Sequence, residues 1–255
     1  MKKFIYQHMT LLTLSVFGIL IGLLVINILF QNLAELCTII MLCVLLLFIG
    51  MAFYVNRPMI KATKAFNDEC DPYPLLKVTE EYLTFAKPNL NITNLVLNRS
   101  ATLSGIDRDE EALQILLDYN IEIKKNISLT EKLYYYNNLS ALYLSLGDLD
   151  NGIKYMELTK QIISSMKKVK LNNIPCLEAE CCLLTKNYQG ALNCLNSQLI
   201  SCKRQSVSMA FLAAKALIGL NNIEEAKKQL NYVIANGNKL AVVQKAEKLL
   251  SEIQS

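Results

Sequence analysis

The feature that most constrains this chain is a run of 20 uncharged, mostly apolar residues at positions 11–30. As a helix, that run would span about 30 Å, which is the thickness of the hydrocarbon core of a bilayer. A second uncharged run at positions 37–54 is 18 residues long and is also sufficient to cross. Glu35 is the only charged residue between the two runs. The sequence therefore predicts a transmembrane hairpin within residues 1–56.

Cations lie at both ends of this predicted hairpin but not in its connecting loop. Lys2 and Lys3 precede the first span, Arg57, Lys61 and Lys64 follow the second, and the connecting loop carries none. Because Lys and Arg near membrane segments are retained in the cytoplasm, both termini are predicted to be cytoplasmic. A cleaved signal peptide is the competing interpretation of the first run, although the run exceeds the usual 7–15 apolar residues. Cleavage would leave the rest of the chain on the same side.

Two small clusters in this part suggest contacts. Arg57, Lys61 and Lys64 are spaced by four and three residues, so they share one helical face and could contact lipid headgroups. Their role as a topology signal explains them equally well. In the first span, Gly18 and Gly22 form a GxxxG motif, which allows close approach of another transmembrane helix. Its partner could be the second span, another membrane protein or a second copy, giving a homo-oligomer.

The chain after the membrane segment reads as helical. Residues 57–74 are predicted to form a juxtamembrane helix, with Pro58 in its first turn, and then a linker at Pro72 and Pro74. Residues 75–255 show apolar residues spaced by three and four, with short breaks at Asn, Gly and Asp. The predicted fold class is therefore all-α.

The helical part contains a spacing that recurs four times. Two helices that pack closely in a hairpin need a small residue on each at the crossing point. Four pairs of small residues are each separated by 12 positions, and each pair encloses a predicted turn. This regularity predicts four helical hairpins stacked into an α-solenoid, with capping helices at both ends. The pairs are Ser100/Ala112, Ser140/Gly152, Ala179/Ala191 and Ala214/Ala226.

The second hairpin carries a family resemblance. Its residues follow the spacing W-x2-L-G-x2-Y…A-x3-F of the tetratricopeptide repeat (TPR), at Tyr136, Leu139, Ser140, Tyr143, Gly152 and Met156. The chain thus resembles the TPR family, in degenerate form, over about residues 92–236. The third hairpin departs most, with Pro175 and Glu178 where Trp and Leu are expected. Helix pairs of the HEAT or Sel1 kind could give similar spacings.

The resemblance implies a binding role. In TPR proteins the first helix of each repeat lines a concave surface that receives a peptide or a partner helix. The surface expected here is mixed rather than basic, and it lacks the Lys/Arg/Asn set with which some family members hold a C-terminal carboxylate. Each side chain could equally be an ordinary packing residue. By repeat position, the candidate partner-binding residues are Asn94, Leu97, Tyr134, Asn137, Leu144, Glu180, Phe211 and Lys215.

Composition and motifs argue against other classes of function. A net charge of +4 over 255 residues gives no concentrated basic face for nucleic acid. The sequence contains neither GxxxxGK nor GxGxxG, and its single histidine is His8. Cys176, Cys181 and Cys182 are spaced unsuitably for a tetrahedral metal site. We therefore predict no catalytic residue, no metal and no cofactor.

The sequence thus favours a non-enzymatic scaffold or adaptor, tethered to the membrane, that presents a TPR-like protein-binding domain at the cytoplasmic face. The alternative is an accessory or assembly subunit of a transport or secretion complex, contacting it through the transmembrane hairpin. An enzyme is a third class, which no motif supports. The Asn-, Ile- and Lys-rich composition and the two-span layout favour a bacterial plasma membrane.

Overall fold

In the part of the chain that the structure describes, all regular secondary structure is helical, including one short 3-10 helix at Ile121–Ile123. A computed structural model describes residues 2–29, 34–86, 91–166, 173–197 and 199–254. Within those ranges the chain forms twelve α-helices and no β-strand. The predicted all-α class is therefore confirmed.

The first two helices contain the apolar runs. Helix α1 spans Lys2–Leu29 and helix α2 spans Ala34–Asp68. Among the described residues one helical segment, Thr38–Asp68, is long and apolar enough to cross a membrane, by length and composition alone. The described apolar stretch of α1, Leu11–Ile26, is shorter, and Phe30 lies outside the described residues. The predicted two-span hairpin is therefore not supported, because among the described residues only one of its two helices is long and apolar enough to cross.

Helix α2 differs from the sequence prediction at Pro58. A separate helix was expected to begin there, but α2 continues through Pro58 without interruption for 35 residues. Proline removes one intrahelical hydrogen bond and crowds the carbonyl four residues earlier, so it usually ends a helix. The nearby Asn56 side chain donates a hydrogen bond to the Ala52 carbonyl, 3.0 Å away. A side-chain hydrogen bond to the backbone therefore stabilises the helix next to the proline.

Ten shorter helices complete the described chain. They are α3 (Tyr73–Phe85), α4 (Thr93–Ser104), α5 (Asp109–Tyr119), α6 (Leu129–Ser145), α7 (Leu149–Ser165), α8 (Ile174–Leu184), α9 (Tyr188–Asn196), α10 (Lys203–Gly219), α11 (Ile223–Asn236) and α12 (Val242–Glu252).

The chain divides into two compact units. One contains residues 1–61 and 81–90, and the other contains residues 62–80 and 91–255. The second unit is hereafter the hairpin domain. In the first unit, Tyr82 and the carbonyl of Val55 are joined by a hydrogen bond from the tyrosine hydroxyl.

Four helical hairpins form the hairpin domain, and they lie where the spacing of small residues predicts them. Helix α4 packs on α5, α6 on α7, α8 on α9 and α10 on α11. All eight small residues at the predicted crossings are buried. In the first two hairpins the crossing is also polar, because Ser100 Oγ donates to the Ala112 carbonyl at 3.2 Å and Ser140 Oγ donates to the Gly152 carbonyl at 2.8 Å.

The turns of the four hairpins share one backbone geometry. In each turn, the residue seven positions after the first small residue has positive φ. The next residue donates its N–H to the carbonyl five positions earlier, at 2.7–3.0 Å. This bond satisfies a carbonyl at the end of the first helix. The four hairpins therefore share one turn structure. The residues with positive φ are Asp107, Gly147, Lys186 and Asn221.

The largest core of the hairpin domain lies around the first two hairpins. Leu103, Leu116, Ile121 and Leu139 are fully or almost fully buried within it. Tyr135 joins the same core, and its hydroxyl donates to the Leu116 carbonyl at 2.8 Å. Burial accordingly raises the pKa of Tyr135 to about 12. This core holds α4 and α6 side by side, which positions the candidate binding face.

Candidate partner-binding face of the inner helices

The candidate face is built from the first helix of each hairpin. Helix α4 contacts α6, α6 contacts α8 and α8 contacts α10, and α10 also contacts α12. These inner helices therefore form one continuous layer. All eight residues predicted to bind a partner lie on α4, α6, α8 and α10, so the structure places them in the same layer.

Two of the predicted residues are exposed. Asn94 is exposed near the start of α4, and Tyr134 is 42% exposed in the first half of α6. Adjacent inner helices carry them, so one extended segment could contact both. Tyrosine is well suited to such a role because it offers a large apolar ring and a polar hydroxyl.

Two predicted residues belong instead to the core. Leu97 is 6% exposed and packs with the first two hairpins, and Leu144 is 1% exposed. The side chain of Leu144 occupies the space beside Gly152, where an added Cβ would lie 2.6 Å from Leu144 Cγ. It also packs with Met156 and Leu177. Both leucines are therefore placed as packing residues rather than as a surface for a partner.

Asn137 is buried but incompletely satisfied. The residue is 6% exposed, and its Oδ1 has no hydrogen-bond partner among the described residues. A buried acceptor without a partner costs about 1–3 kcal/mol. Asn137 lies on α6, one turn after Tyr134, so an N–H donor brought to the inner layer could pair with it. Because its Oδ1 lacks a donor, Asn137 remains a candidate partner-binding residue.

Glu180 has the most perturbed environment on this face. It is half-buried on α8, and burial raises the pKa of its carboxyl to about 7. Lys215 acts in the opposite direction, Asp109 raises the pKa further and Lys245 lowers it. Charged groups on α5, α10 and α12 thus act on the pKa of this carboxyl. This carboxyl therefore loses its proton near neutral pH, whereas an ordinary glutamate loses its proton at a lower, acidic pH.

Asp109 is a second acceptor near Glu180, and sequence reasoning missed it. Its Oδ2 accepts a hydrogen bond from Ser145 Oγ at 2.5 Å, while its buried Oδ1 has no hydrogen-bond partner in the described part of the chain. Lys245, on the last helix, pairs with Asp107 at 2.5 Å. Asp109 and Lys245 are too distant in the sequence for a local pattern to associate them. Only the tertiary fold lets both charges act on Glu180.

Phe211 and Lys215 contribute an aromatic ring and a cation one turn apart on α10. Both are half-buried, and Lys215 Nζ lies 5.9 Å from the centroid of the Phe211 ring. A cation at that distance from a ring is weakly attracted to its face. The pair therefore adds a positive and an apolar element beside the acceptors of Glu180 and Asp109. The inner face is mixed in character.

The residues predicted to contact membrane components lie on α1 and α2. Arg57, Lys61 and Lys64 are all exposed, and the Arg57 guanidinium lies 6.0 Å from the Phe53 ring centroid. At Gly18 and Gly22, an added Cβ would meet no atom within 4 Å among the described residues. Their surfaces are therefore open toward whatever surrounds α1, and their predicted roles remain predictions.

Comparisons with known proteins add no further assignment. No protein-family model, no curated protein and no solved structure matches this chain. Among the residues that the structure describes, no group of three or more His, Cys, Asp or Glu is arranged to hold a metal ion. The function must therefore be inferred from the geometry of the chain itself.

Proposed function

We propose that this protein is a non-enzymatic scaffold, tethered to the membrane, whose TPR-like hairpin domain binds a protein or peptide partner through the inner helices. One observation carries the proposal. The layer that the family resemblance assigns to partners contains a buried acceptor oxygen without a hydrogen-bond donor, at Asn137, and a second such oxygen belongs to Asp109 at the start of α5. Such groups are costly in an interior unless a bound group or water pairs with them.

The chemistry of the inner face indicates the kind of partner segment. Asn137 and Glu180 on the inner helices, and Asp109 at the start of α5, offer oxygen acceptors, so they favour a segment with amide or cationic N–H donors. Tyr134 and Phe211 offer aromatic surface for an apolar side chain beside those donors. An extended peptide or one face of a helix could present this combination. The partner proposed is therefore a protein or peptide, with no nucleic acid involved.

The tether is the second part of the proposal. Exposed apolar residues cover the Thr38–Tyr54 part of α2, and they are best accommodated by lipid. We propose that α1 crosses as well, so that both termini are cytoplasmic, in a bacterial plasma membrane. Lys61 and Lys64 would then lie near the headgroups. Confinement to one membrane raises the effective concentration of a partner on that membrane, so modest affinity would suffice.

Site-specific photo-crosslinking in native membranes tests the binding face. A Tyr134→benzoylphenylalanine variant places the reactive group on inner helix α6. The matched control is Tyr232→benzoylphenylalanine, since Tyr232 is 41% exposed against 42% for Tyr134 but lies on α11. We expect a discrete adduct from position 134 and not from position 232. Equal adduct formation from both, or adducts from position 232 alone, would contradict binding by the inner face.

The alternative function, an accessory subunit assembled through the membrane helices, is supported by the open surface at Gly18 and Gly22. Small residues there would allow a neighbouring helix to approach closely. The double substitution Gly18→Ile and Gly22→Ile separates the two functions. Under the alternative, the native complex is lost in gentle detergent while the hairpin domain stays folded. Under the scaffold proposal, the crosslinked adduct at position 134 persists.

A further inference from the structure

The last residues of α2 and the segment that follows it are held between two parts of the hairpin domain that are far apart in sequence. Phe66 is 4% exposed, and the Arg204 guanidinium lies 4.5 Å from the centroid of its ring. Arg204 Nε also donates to Asn67 Oδ1 at 3.2 Å. On the other side, Phe66 packs against Gly105, where an added Cβ would lie 3.2 Å from the ring. The ring of Phe66 thus separates the turn of the first hairpin from the start of α10.

The backbone carbonyls that follow α2 are capped by the loop between α11 and α12. Helix α2 has no basic residue in its last turn. Asn238 Nδ2 donates to the Glu69 carbonyl at 2.7 Å, and the Lys239 N–H donates to the Cys70 carbonyl at 3.2 Å. Lys239 Nζ pairs with Asp71 at 2.6 Å. Donors and a cation are favourable where helix carbonyls are unsatisfied, so a distant loop supplies what a local C-cap would supply.

The two ends of the hairpin array also touch directly beside this segment. The Ala241 N–H donates to the Gly105 carbonyl at 2.9 Å, and Lys245 forms its ion pair with Asp107. The turn of the first hairpin is therefore joined to the entry of α12. Residues 66–71 and these two contacts together form one seam, which connects the first hairpin to the last elements of the chain.

We propose that residues 66–71 form a latch that closes this seam and thereby encloses the inner face around Glu180. Asp109 lies just after the first hairpin turn on one side of the seam, and Lys245 lies on the other. Asp109 accepts a hydrogen bond from Ser145, the last residue of inner helix α6, and Lys245 pairs with Asp107, so the closed seam adjoins the inner layer. The role of the latch in partner access depends on the proposed function, whereas the closure itself does not.

We expect the hairpin domain to open locally at the seam, because the contacts there are weaker than those within the hairpins. Each hairpin crossing is a fully buried contact of small residues, repeated four times. Besides three buried apolar residues, the seam depends on a few hydrogen bonds and two ion pairs whose lysines are 54% and 45% exposed. Those apolar residues are Phe66, Cys70 and Leu240. Exposed ion pairs contribute little because water and salt screen them. Local opening proceeds first where few apolar contacts are lost, so we expect the latch to release before the hairpins, whose crossings and cores bury more apolar surface.

Cys70 provides a natural reporter of this opening. Its thiol is free and its residue is 0% exposed within the latch, and burial raises its pKa. Cys194, which is half-buried in the third hairpin, serves as an internal reference for the rest of the fold. The experiment is site-resolved mass spectrometry of the full-length protein in native membranes during reaction with a water-soluble maleimide. Loss of latch contacts should expose Cys70 without changing Cys194.

Two variants and one matched control define the expected result. Arg204→Ala removes both the ring contact and the bond to Asn67, and Lys239→Ala removes the ion pair with Asp71. We expect labelling of Cys70 to accelerate at least tenfold in Arg204→Ala and severalfold in Lys239→Ala. Lys228→Ala removes an exposed ion pair with Glu225 elsewhere on α11, and it should change neither thiol.

The outcomes separate the latch from the proposed function. If Cys70 reacts equally fast in the unsubstituted protein and both latch variants, or if Cys70 and Cys194 accelerate together, the latch is overturned. Arg204→Ala combined with Tyr134→benzoylphenylalanine should give more adduct than the single crosslinking variant. Unchanged adduct despite faster Cys70 labelling would overturn control of access by the latch. Absence of adduct from any variant would count against the proposed function and leave the seam closure supported.

Discussion

Apolar side chains are distributed in opposite ways in the two units of this protein. In α2, Leu46 and Leu47 are 59% and 69% exposed. In the hairpin domain, Leu103 and Leu116 are completely buried among other apolar residues. Water does not favour a long helix covered with exposed leucines. The hairpin domain therefore buries its own apolar residues, whereas the described part of α2 leaves its leucines exposed, as the proposed membrane tether requires.

Small residues show the same contrast. Gly152 and Ala191 sit at hairpin crossings, where the partner helix of the same hairpin fills the adjacent space. At Gly18 and Gly22, the described part of the chain leaves that space open. A small residue therefore marks a close contact in the hairpin domain, whereas at Gly18 and Gly22 a close contact remains a prediction. This difference is what the alternative function would exploit.

The largest expected effect tests the buried side of this comparison. Leu116→Ala should leave a cavity in the core that joins the first two hairpins, and it should lower the free energy of unfolding by about 2–5 kcal/mol. The matched control is Leu117→Ala, because Leu117 is the next residue but is 40% exposed. Thermal unfolding followed by circular dichroism would measure both. Similar losses for the two variants would contradict the assigned core.

The sequence could predict the hairpins because their determinants are local. A spacing of 12 between small residues fixes both the crossing and the turn within one hairpin, and all four pairs are buried as expected. The family pattern was less informative about Leu144, because its side chain fills the space left by the missing side chain of Gly152. Which face a residue presents depends on the neighbouring helix, and local spacing does not contain that information.

Longer-range features could not be predicted for the same reason. Pro58 was expected to begin a new helix, but α2 tolerates it within a continuous helix. The segment around Pro72 was interpreted as a linker, yet Cys70 is fully buried and Asp71 pairs with Lys239. These contacts join residues separated by about 170 positions, such as Asn238 and Glu69. No periodicity in the sequence reports them.

A charge placed in the exposed apolar part of α2 tests the other side of the comparison. Leu46→Lys should disfavour insertion by about 2.5–3.5 kcal/mol, since a cation is poorly accommodated at the centre of a bilayer. Cys43 lies one turn away and is a free thiol, so a water-soluble maleimide added to native membranes can measure its protection. We expect much faster labelling of Cys43 in the variant.

The control for that substitution is Leu199→Lys. Leu199 is 71% exposed, but it lies in the hairpin domain. If exposure in this domain means contact with water, Lys at position 199 should leave the labelling of Cys43 unchanged. Rapid labelling of Cys43 in the unsubstituted protein would show that α2 is not in lipid, and it would remove the basis for the proposed tether.

A smaller effect is expected from the half-buried acid of the inner face. Glu180 has an ordinary pKa near 4.5 and a pKa of about 7 in the folded domain, where burial disfavours the carboxylate. The folded state therefore binds this proton more tightly, and stability falls as the pH rises from about 4.5 through 7. Glu180→Gln should be more stable than the unsubstituted protein by about 2 kcal/mol at pH 8, with little difference near pH 4.5.

Chemical denaturation at both pH values measures this effect. Glu224→Gln is the control, because Glu224 is an exposed acid on α11 whose side chain is 85% accessible. The control should show no comparable change with pH. A Glu180→Gln variant that is equally stabilised or destabilised at both pH values would indicate a packing effect and contradict the assigned ionisation.

The smallest expected effect concerns the turns that the four hairpins share. Lys186 has a φ of 60° and occupies the position that Gly147 occupies in the second hairpin, where φ is 82°. A side chain in this left-handed region costs about 1–2 kcal/mol, which glycine avoids, although glycine loses more entropy on folding. Lys186→Gly should therefore stabilise the hairpin domain by about 0.5–1 kcal/mol, and Gly147→Ala should destabilise it by about 1 kcal/mol. Unfolding midpoints in urea measure both, and opposite signs are required if the turns are equivalent. Equal signs would mean that the third hairpin, whose sequence departs most from the repeat pattern, does not use the turn geometry of the second.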